Sequence, residues 1–313
     1  MLRRAAVAIV ILAIIGAALG WFLTAPEPLA AAQLPAHDPD VANGERIFYI
    51  GGCASCHAAP DAQGDDKLKL GGGRELNTPF GIFRVPNISP DPETGIGGWS
   101  TLDFVNAVMR GVTRRGAHYY PAFPYGSYVR MKAEDVIDLK GFLDTLPPVS
   151  NQVADHDLGF PFSIRRGVGV WKFLYFSADP MLVLDNPSEA VQRGQYLVEG
   201  PGHCGECHTS RDPMGGLKRA QWLAGAPNPD GKGSIPNITP HDEGLKWSEK
   251  EIVDTFATGF TPEFDTLGGN MSLVQWSLSH LPAEDLQAIA AYLKAVPPLP
   301  DAVPAAPEPA ETQ

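Results

Sequence analysis

The chain has 313 residues, 44% apolar and 19% charged, which is enough for two ordinary domains with a core each. Its 36 acidic residues outnumber its 24 basic ones, and a formal net charge of −12 argues against nucleic acid or an anionic membrane face as the partner, because both would repel the chain. The glycine and proline counts, 33 and 30, predict long loops between short helices.

The N-terminal segment is an uncharged apolar run, residues 5–23, behind two arginines at 3–4. At about 1.5 Å per residue, a helix over this run spans about 28 Å, close to the hydrocarbon thickness of a bilayer. Trp21 lies where an interfacial aromatic residue is expected, and the arginines predict a cytoplasmic N-terminus. Residues 1–24 are therefore predicted to be a transmembrane anchor, with a signal segment cleaved near the alanines at 30–32 as the alternative.

Both interpretations export everything that follows. They predict a protein at the bacterial inner membrane whose remaining residues face the periplasm. Residues 25–38 include Pro26, Pro28 and Pro35 and predict an extended tether. The opposite end, residues 301–313, is rich in proline, alanine and acidic residues and predicts a disordered tail.

An internal repeat predicts two domains, residues 39–149 and 187–300. Each half contains, in the same order, a Cys-x-x-Cys-His motif, a Pro-Asn-Ile-Ser/Thr-Pro segment, a Trp-Ser step and a stretch from Ala-Glu-Asp to Pro-Pro. Apolar residues at helical spacing predict an all-α fold. Ser100 and Ser248, each with an acidic residue three positions later, predict the N-caps of the middle helices.

The connector between the halves, residues 150–186, is rich in aromatic side chains. A solvated linker would not carry them, so the connector is predicted to pack across both domains and to fix their angle. The alternative is a docking surface for another subunit that uses Arg165 and Arg166.

The two cysteine motifs are Cys53-Ala54-Ser55-Cys56-His57 and Cys204-Gly205-Glu206-Cys207-His208. Two thiols on one helical turn can add to the two vinyl groups of a haem, and the adjacent histidine then lies under the iron. A bare Cys-x-x-Cys could be a redox dithiol or half of a zinc site. The dithiol alternative needs a strand before the motif, where helical signals stand instead, and the zinc alternative would bring the two pairs together, although each pair has its own complete repeat. The motifs predict two covalently bound haem c groups, attached through Cys53, Cys56, Cys204 and Cys207, with His57 and His208 as iron ligands.

Met271 is the candidate sixth ligand of the second haem. It lies 63 residues after His208, in a glycine-rich loop ahead of the last helix. A thioether ligand there would raise the reduction potential.

The first half has no methionine in the corresponding loop, residues 119–125. His118 lies 61 residues after His57, and Met131 lies four residues before Asp135, so both are candidate ligands. A five-coordinate iron is the third possibility. A histidine ligand would give the first haem the lower potential.

From about residue 40 to 298 the chain resembles membrane-bound diheme class I cytochromes c, such as the cytochrome subunits of periplasmic alcohol and aldehyde dehydrogenases. The resemblance rests on both Cys-x-x-Cys-His motifs, the Pro-Asn-Ile segments, Gly-Gly-Trp-Ser at 97–100 and Tyr-Pro-Ala-Phe-Pro-Tyr at 120–125. It implies two tandem cytochrome c domains. The alcohol dehydrogenase subunits often have a ligating methionine at the position of Phe123 and carry three haem motifs, whereas this chain has a phenylalanine and two motifs.

The resemblance implies a diheme cytochrome that relays electrons from a periplasmic dehydrogenase partner toward the respiratory chain. No catalytic residues are identified, so an electron-transfer protein is favoured over an enzyme. One alternative is a diheme peroxidase or thiosulfate dehydrogenase-like oxidoreductase that uses an open site at the first haem. The other is the diheme subunit of a terminal oxidase.

Overall fold

The computed structural model describes residues 2–229 and 233–303, so most of the predicted tail lies outside the described residues. The helices are α1 Leu2–Leu23, α2 Val41–Ile50, α3 Cys53–His57, α4 Thr101–Arg110, α5 Tyr125–Tyr128, α6 Ala133–Leu143, α7 Val168–Tyr175, α8 Glu189–Glu199, α9 Gly205–His208, α10 Glu249–Thr258, α11 Asn270–Leu278 and α12 Ala283–Ala295. The strands are β1 Glu75–Thr78, β2 Gly81–Arg84, β3 Asp157–Leu158, β4 Ala226–Pro227 and β5 Ser234–Ile235.

Helices, including short 3-10 turns, make up 44% of the described residues, so the prediction of a mostly helical protein is confirmed. The all-α prediction needs a correction, because β1, β2 and β3 form a small antiparallel sheet and β4 pairs with β5. The β1–β2 hairpin closes at Gly81, whose φ of 127° favours glycine, with Thr78 Oγ1 donating to the Gly81 carbonyl at 2.8 Å. Strands of two to four residues are too short to show an alternating pattern in the sequence.

The middle helices begin at the predicted caps. Ser100 accepts from the backbone N–H of Asp103, and the Asp103 carboxylate accepts from the backbone N–H of Ser100. Ser248 and Glu251 form the same capping box at the start of α10. Each box satisfies N–H groups that a helix start would otherwise leave unpaired.

The first and last helices of each unit cross at a glycine. A Cβ on Gly44 would lie 2.0 Å from the Asp138 carbonyl oxygen of α6, and one on Gly194 would lie 1.9 Å from the Ala288 carbonyl oxygen of α12. Both distances are far inside van der Waals contact. The repeated glycine before each cysteine motif is therefore required for α2 to pack on α6 and α8 on α12.

The two units exchange equivalent contacts across their interface. Arg46 of α2 binds Asp285 of α12 through Nε and Nη2, at 2.6 and 2.9 Å. Tyr196, which stands at the position of Arg46 in the repeat, donates its hydroxyl to Asp135, the counterpart of Asp285. The reciprocal pattern indicates a pseudo-twofold arrangement of the duplicated units.

The same arrangement brings a short helix of each unit onto the cysteine turn of the other. Ser55 of α3 donates to the Leu273 carbonyl of α11 at 3.2 Å. In the reciprocal position, Ser127 of α5 donates to Glu206 of α9 at 2.8 Å. Each cysteine turn is thus covered by the segment that precedes the last helix of the other unit.

The residues between α1 and α2 lie along the first unit. The backbone N–H of Leu29 donates to the Asn106 side chain at 2.6 Å, and that side chain donates back to the Leu29 carbonyl at 3.1 Å. Arg110 pairs with Glu27, and His37 contacts Asp138 at 2.6 Å. The segment predicted as a tether is therefore docked, which sets the exit of α1 against the first unit.

Candidate metal centres

Each cysteine motif forms one short helical turn. Cys53 and Cys204 are half-buried, Cys56 and Cys207 are exposed, and none of these four described cysteines forms a disulfide. Burial raises the pKa of Cys53 and of Cys204 to about 12. A redox dithiol needs a lowered thiol pKa, so this environment does not favour that alternative.

The two histidines that end these turns are held in the same way. His57 Nδ1 lies 2.8 Å from the Pro86 carbonyl oxygen, and His208 Nδ1 lies 2.8 Å from the Pro236 carbonyl oxygen. A carbonyl oxygen can only accept, so Nδ1 carries the proton in both rings and Nε2 presents its lone pair. Burial lowers the pKa of His57 to about 4, so the ring is neutral near pH 7. A neutral imidazole with a fixed Nδ1–H is the form that binds iron.

A buried asparagine directly follows each of the two prolines, and its hydrogen bonds hold the segment that carries the acceptor carbonyl. Asn87 accepts from the Ser89 backbone at 2.9 Å and donates to the Val149 carbonyl at 2.6 Å. Asn237 accepts from the Thr239 backbone at 2.9 Å and donates to a carbonyl at 2.7 Å, that of Leu299. In the sequence, the Pro-Asn-Ile segments mark the repeat without indicating this role. Their recurrence 28 and 29 residues after the histidines was the signal for this role.

Met271 is the second residue of α11, and it is half-buried against the main core. Two equivalent β-bridges, Val112–His118 and Phe260–Thr266, align the loops of the two units. In that alignment Phe123 of the first unit stands at the position of Met271.

His118 therefore corresponds to Thr266 and not to Met271. Its side chain is buried, and Nε2 donates to the Thr24 carbonyl at 3.0 Å, while Nδ1 has no partner within the described residues. Burial lowers its pKa. The structure brings His118 to the exit of α1 and occupies the nitrogen through which a ligating histidine commonly binds iron.

Met131 is buried in the main core, in the turn between α5 and α6. Tyr128, three residues earlier, lies close enough to Cys53 and Cys56 for their charges to affect its pKa, which burial raises. In the second unit the position two residues before the last helix is Leu281. Two aligned positions in this loop therefore carry a methionine in one unit each. Phe123 of the first unit aligns with Met271, and Met131 of the first unit aligns with Leu281.

The four cysteines and two histidines recur on two matched turns, and comparison with known proteins agrees. The cytochrome c family model matches residues 41–147, and the model for subunit III of cbb3-type cytochrome c oxidase matches residues 189–293. A "Diheme cytochrome c-type" protein of Cereibacter sphaeroides is 49% identical over 299 residues, which cover 95% of this chain and 99% of that protein. The chain belongs to the diheme c-type cytochromes.

Two further relatives of the cytochrome are subunits of larger enzymes. The cytochrome c subunit of an alcohol dehydrogenase (quinone) of Gluconobacter oxydans is 34% identical, over 90% of this cytochrome and 61% of the relative. The fructose dehydrogenase cytochrome subunit of Gluconobacter japonicus is 34% identical, over 87% of this cytochrome and 55% of the relative. The cytochrome therefore spans less than two thirds of these subunits.

The cytochrome carries two covalently bound haem c groups. The side chains of both turns fit them, because each turn offers two free thiols and a neutral imidazole whose Nδ1 is already engaged. Within the described residues, no group of three or more His, Cys, Asp or Glu side chains could hold another metal ion.

Among the described residues, the stretch Arg3–Leu23 of α1 is the one helix long and apolar enough to cross a membrane. A signal sequence at the N-terminus would pass the same test. The connector contacts both units, since the Trp171 ring lies 6.2 Å from that of Tyr125 and the Tyr175 hydroxyl donates to Asp212 at 2.8 Å.

Proposed function

We propose that this cytochrome relays electrons from a periplasmic dehydrogenase partner toward the respiratory chain, anchored by α1 in the inner membrane. The haem groups, when bound, supply one-electron oxidation and reduction at iron. Relatives that are subunits of dehydrogenases support the choice of donor.

The observation that carries the proposal is the closeness of the two cysteine turns. His203, which precedes Cys204, donates from Nε2 to the Gly51 carbonyl at 3.2 Å, two residues before Cys53. Cys56 lies near enough to Cys207 to affect its pKa. Two redox groups attached at adjoining turns of one rigid interface favour electron transfer within the chain.

We propose that Cys53, Cys56, Cys204 and Cys207 form the thioether bonds and that His57 and His208 bind iron through Nε2. For the second haem we propose Met271 as the sixth ligand. For the first haem, the geometry favours Met131 over His118. Met131 follows a helix that lies near Cys53, whereas the Nε2 of His118 is bonded to Thr24.

The proposal is tested by respiration of membranes from the native host. A strain without this cytochrome, complemented with the natural chain or with His208→Ala, would be given alcohols, aldehydes, sugars and sugar acids in turn. Oxygen uptake with at least one substrate should fall in the deletion strain, return with the natural chain, and stay low with the variant. Unchanged uptake with every substrate would contradict a relay from a dehydrogenase.

A second candidate is the diheme subunit of a terminal oxidase, which the match of residues 189–293 to a cbb3-type subunit favours. It predicts that the full-length cytochrome, solubilised mildly from native membranes, co-purifies with a copper-containing catalytic subunit. Co-purification with a dehydrogenase would instead support the first proposal.

A further inference from the structure

An exposed apolar surface of the connector, termed here the connector patch, is formed by Phe160, Phe162, Ile164, Val170, Phe173 and Leu174. We infer that the connector patch docks on the outer face of the same lipid bilayer that holds α1. The inference rests on the proposed membrane anchoring, and the test below separates the two.

Helix α7 has an inner and an outer face. Lys172 points inward and donates from Nζ to the carbonyls of Arg110 and Gly111, at 2.5 and 2.9 Å. Val170, Phe173 and Leu174 share the opposite face, because residues three and four apart are neighbours on a helix. They are 48%, 64% and 52% exposed. An apolar helix face that is exposed to water is unfavourable, and such a face typically marks a site of contact with a protein or a membrane.

The loop before α7 extends this surface. Phe160 is 83% exposed, Phe162 44% and Ile164 52%. Phe162 packs edge-on against Phe80, with ring centroids 4.9 Å apart, so the loop is supported by the β1–β2 hairpin of the first unit. The exposed side chains are thus presented from a folded surface.

The connector patch is continuous with the exit of α1. A Cβ on Gly169, next to Val170, would lie 2.2 Å from the Thr24 carbonyl oxygen, so α7 touches the backbone where α1 ends. The Arg166 guanidinium lies 4.3 Å from the Trp21 ring centroid and donates to the Trp21 carbonyl. A bilayer around α1 with Trp21 at its interface therefore meets the N-terminal end of α7.

Local charge fits a phospholipid surface, although the whole chain does not. The chain has a net charge of −12, yet the 21 residues from 158 to 178 contain no acidic side chain and include Arg165 and Arg166; the third basic residue, Lys172, points inward. Arginine at the edge of an apolar surface can reach lipid phosphates while its stem stays apolar. This segment is thus an exception to the predicted repulsion from an anionic membrane face.

The test uses the full-length cytochrome in nanodiscs of phosphatidylethanolamine and phosphatidylglycerol, with a benzophenone amino acid in place of Phe173 or, separately, Phe160. The matched control places it at Phe264, which is 91% exposed on the second unit. After irradiation, mass spectrometry should find about tenfold more phospholipid adducts at positions 173 and 160 than at position 264. Equal adduct yields at the three positions would overturn the inference.

The same probes in native membranes distinguish a lipid from a protein occupant. Lipid adducts at position 173 support the inference, whereas adducts to another protein with none to lipid overturn it. Val170→Asp should lower the lipid adducts at position 160 several-fold while the haem absorbance stays unchanged, since the residue points away from the core. An unchanged yield would count against a shared lipid contact.

Carbonate washing and the intact mass of the mature chain test the anchor on its own. Loss of residues 1–24 with release from the membrane would refute the proposed anchoring. Lipid adducts at position 173 in nanodiscs would still support the connector patch in that case.

Discussion

The two units of the cytochrome share one scaffold but use the loop before the last helix differently. In the second unit that loop is rich in glycine and places Met271 at the start of α11. In the first unit it carries Tyr119, Tyr120, Phe123 and Tyr125, and its rings pack on the connector and on each other. The duplicated fold has kept the haem-attachment turns alike, while the first loop has become a support for the connector.

The largest expected effect tests whether the two turns are equivalent. His57→Ala and His208→Ala should each lower the haem content from two groups per chain to about one, because the iron loses its fixed protein ligand during attachment. Pyridine haemochrome absorbance and intact mass measure this. His241→Ala, a partly exposed histidine beside Glu243, is the control and should retain both groups. Full haem content in either motif variant would contradict the proposed ligands.

The next effect concerns the sixth ligands, where the units differ. Met271→Leu and Met131→Leu keep side-chain volume but remove the thioether, so each should lower the potential of one haem by roughly 0.1 V or more. Spectroelectrochemical titration resolves the two potentials.

His118→Gln is the matched control for the first unit. This variant should change neither reduction potential by a comparable amount, because the Nε2 atom of His118 donates to the Thr24 carbonyl and is not proposed to bind iron. A large shift in this variant together with none in Met131→Leu would reverse the proposed assignment.

A smaller effect compares the two interface carboxylates. Asp285 is buried and binds two arginines, Arg46 and Arg193, so Asp285→Asn should lower the free energy of unfolding by about 2–3 kcal/mol. Asp135 accepts from the neutral side chains of Asn43 and Tyr196, so Asp135→Asn should cost about 1 kcal/mol. Urea unfolding measures both. Equal losses would contradict the charge-based difference.

The acid dependence of Asp285 has a defined sign. Burial pushes the pKa of Asp285 up, but the bonds from Arg46 and Arg193 outweigh it and hold the pKa below its ordinary value. The contribution of Asp285 to the free energy of unfolding is therefore present above the pKa of the unfolded state, about 4, and is lost as the pH falls through the lower pKa of the folded state. The difference in the free energy of unfolding between the natural chain and Asp285→Asn should become smaller below about pH 4.

The smallest effect concerns the docked segment of the first unit. The hydrogen bond to Asp138 raises the pKa of His37 in the folded protein. Protonated His37 therefore stabilises the docked segment below about pH 6.5, and this stabilisation is lost as the pH rises through the pKa of the folded state. Hydrogen exchange in residues 25–38 should therefore speed up between pH 6 and 8 more than the intrinsic rate does. His37→Gln should abolish this extra dependence, and α8 should show none in either protein.

What could be predicted from the sequence was local in the chain. The turns at Cys53 and Cys204 and the caps at Ser100 and Ser248 depend on residues within a few positions, so spacing alone located them. The hydrogen bond from His57 to the Pro86 carbonyl could not be predicted directly, because a backbone oxygen belongs to every residue type; the recurrence of the Pro-Asn-Ile segments was its only signal in the sequence.

The surroundings of His118 could not be predicted by counting along the chain. Its distance from His57 resembles that of Met271 from His208, but its β-bridge with Val112 aligns it with Thr266, and its ring lies against Thr24. The docking of residues 25–38 was missed for a related reason. Prolines predict extended backbone, and they do not show whether that backbone lies on another surface.

The contact between α11 and the first cysteine turn has a consequence for how the protein is made. Ser55 is covered by Leu273, a residue that is synthesised 218 positions later in the chain. The first turn is thus synthesised well before its cover. Haem attachment at Cys53 and Cys56 can therefore take place before the second unit folds over the first turn.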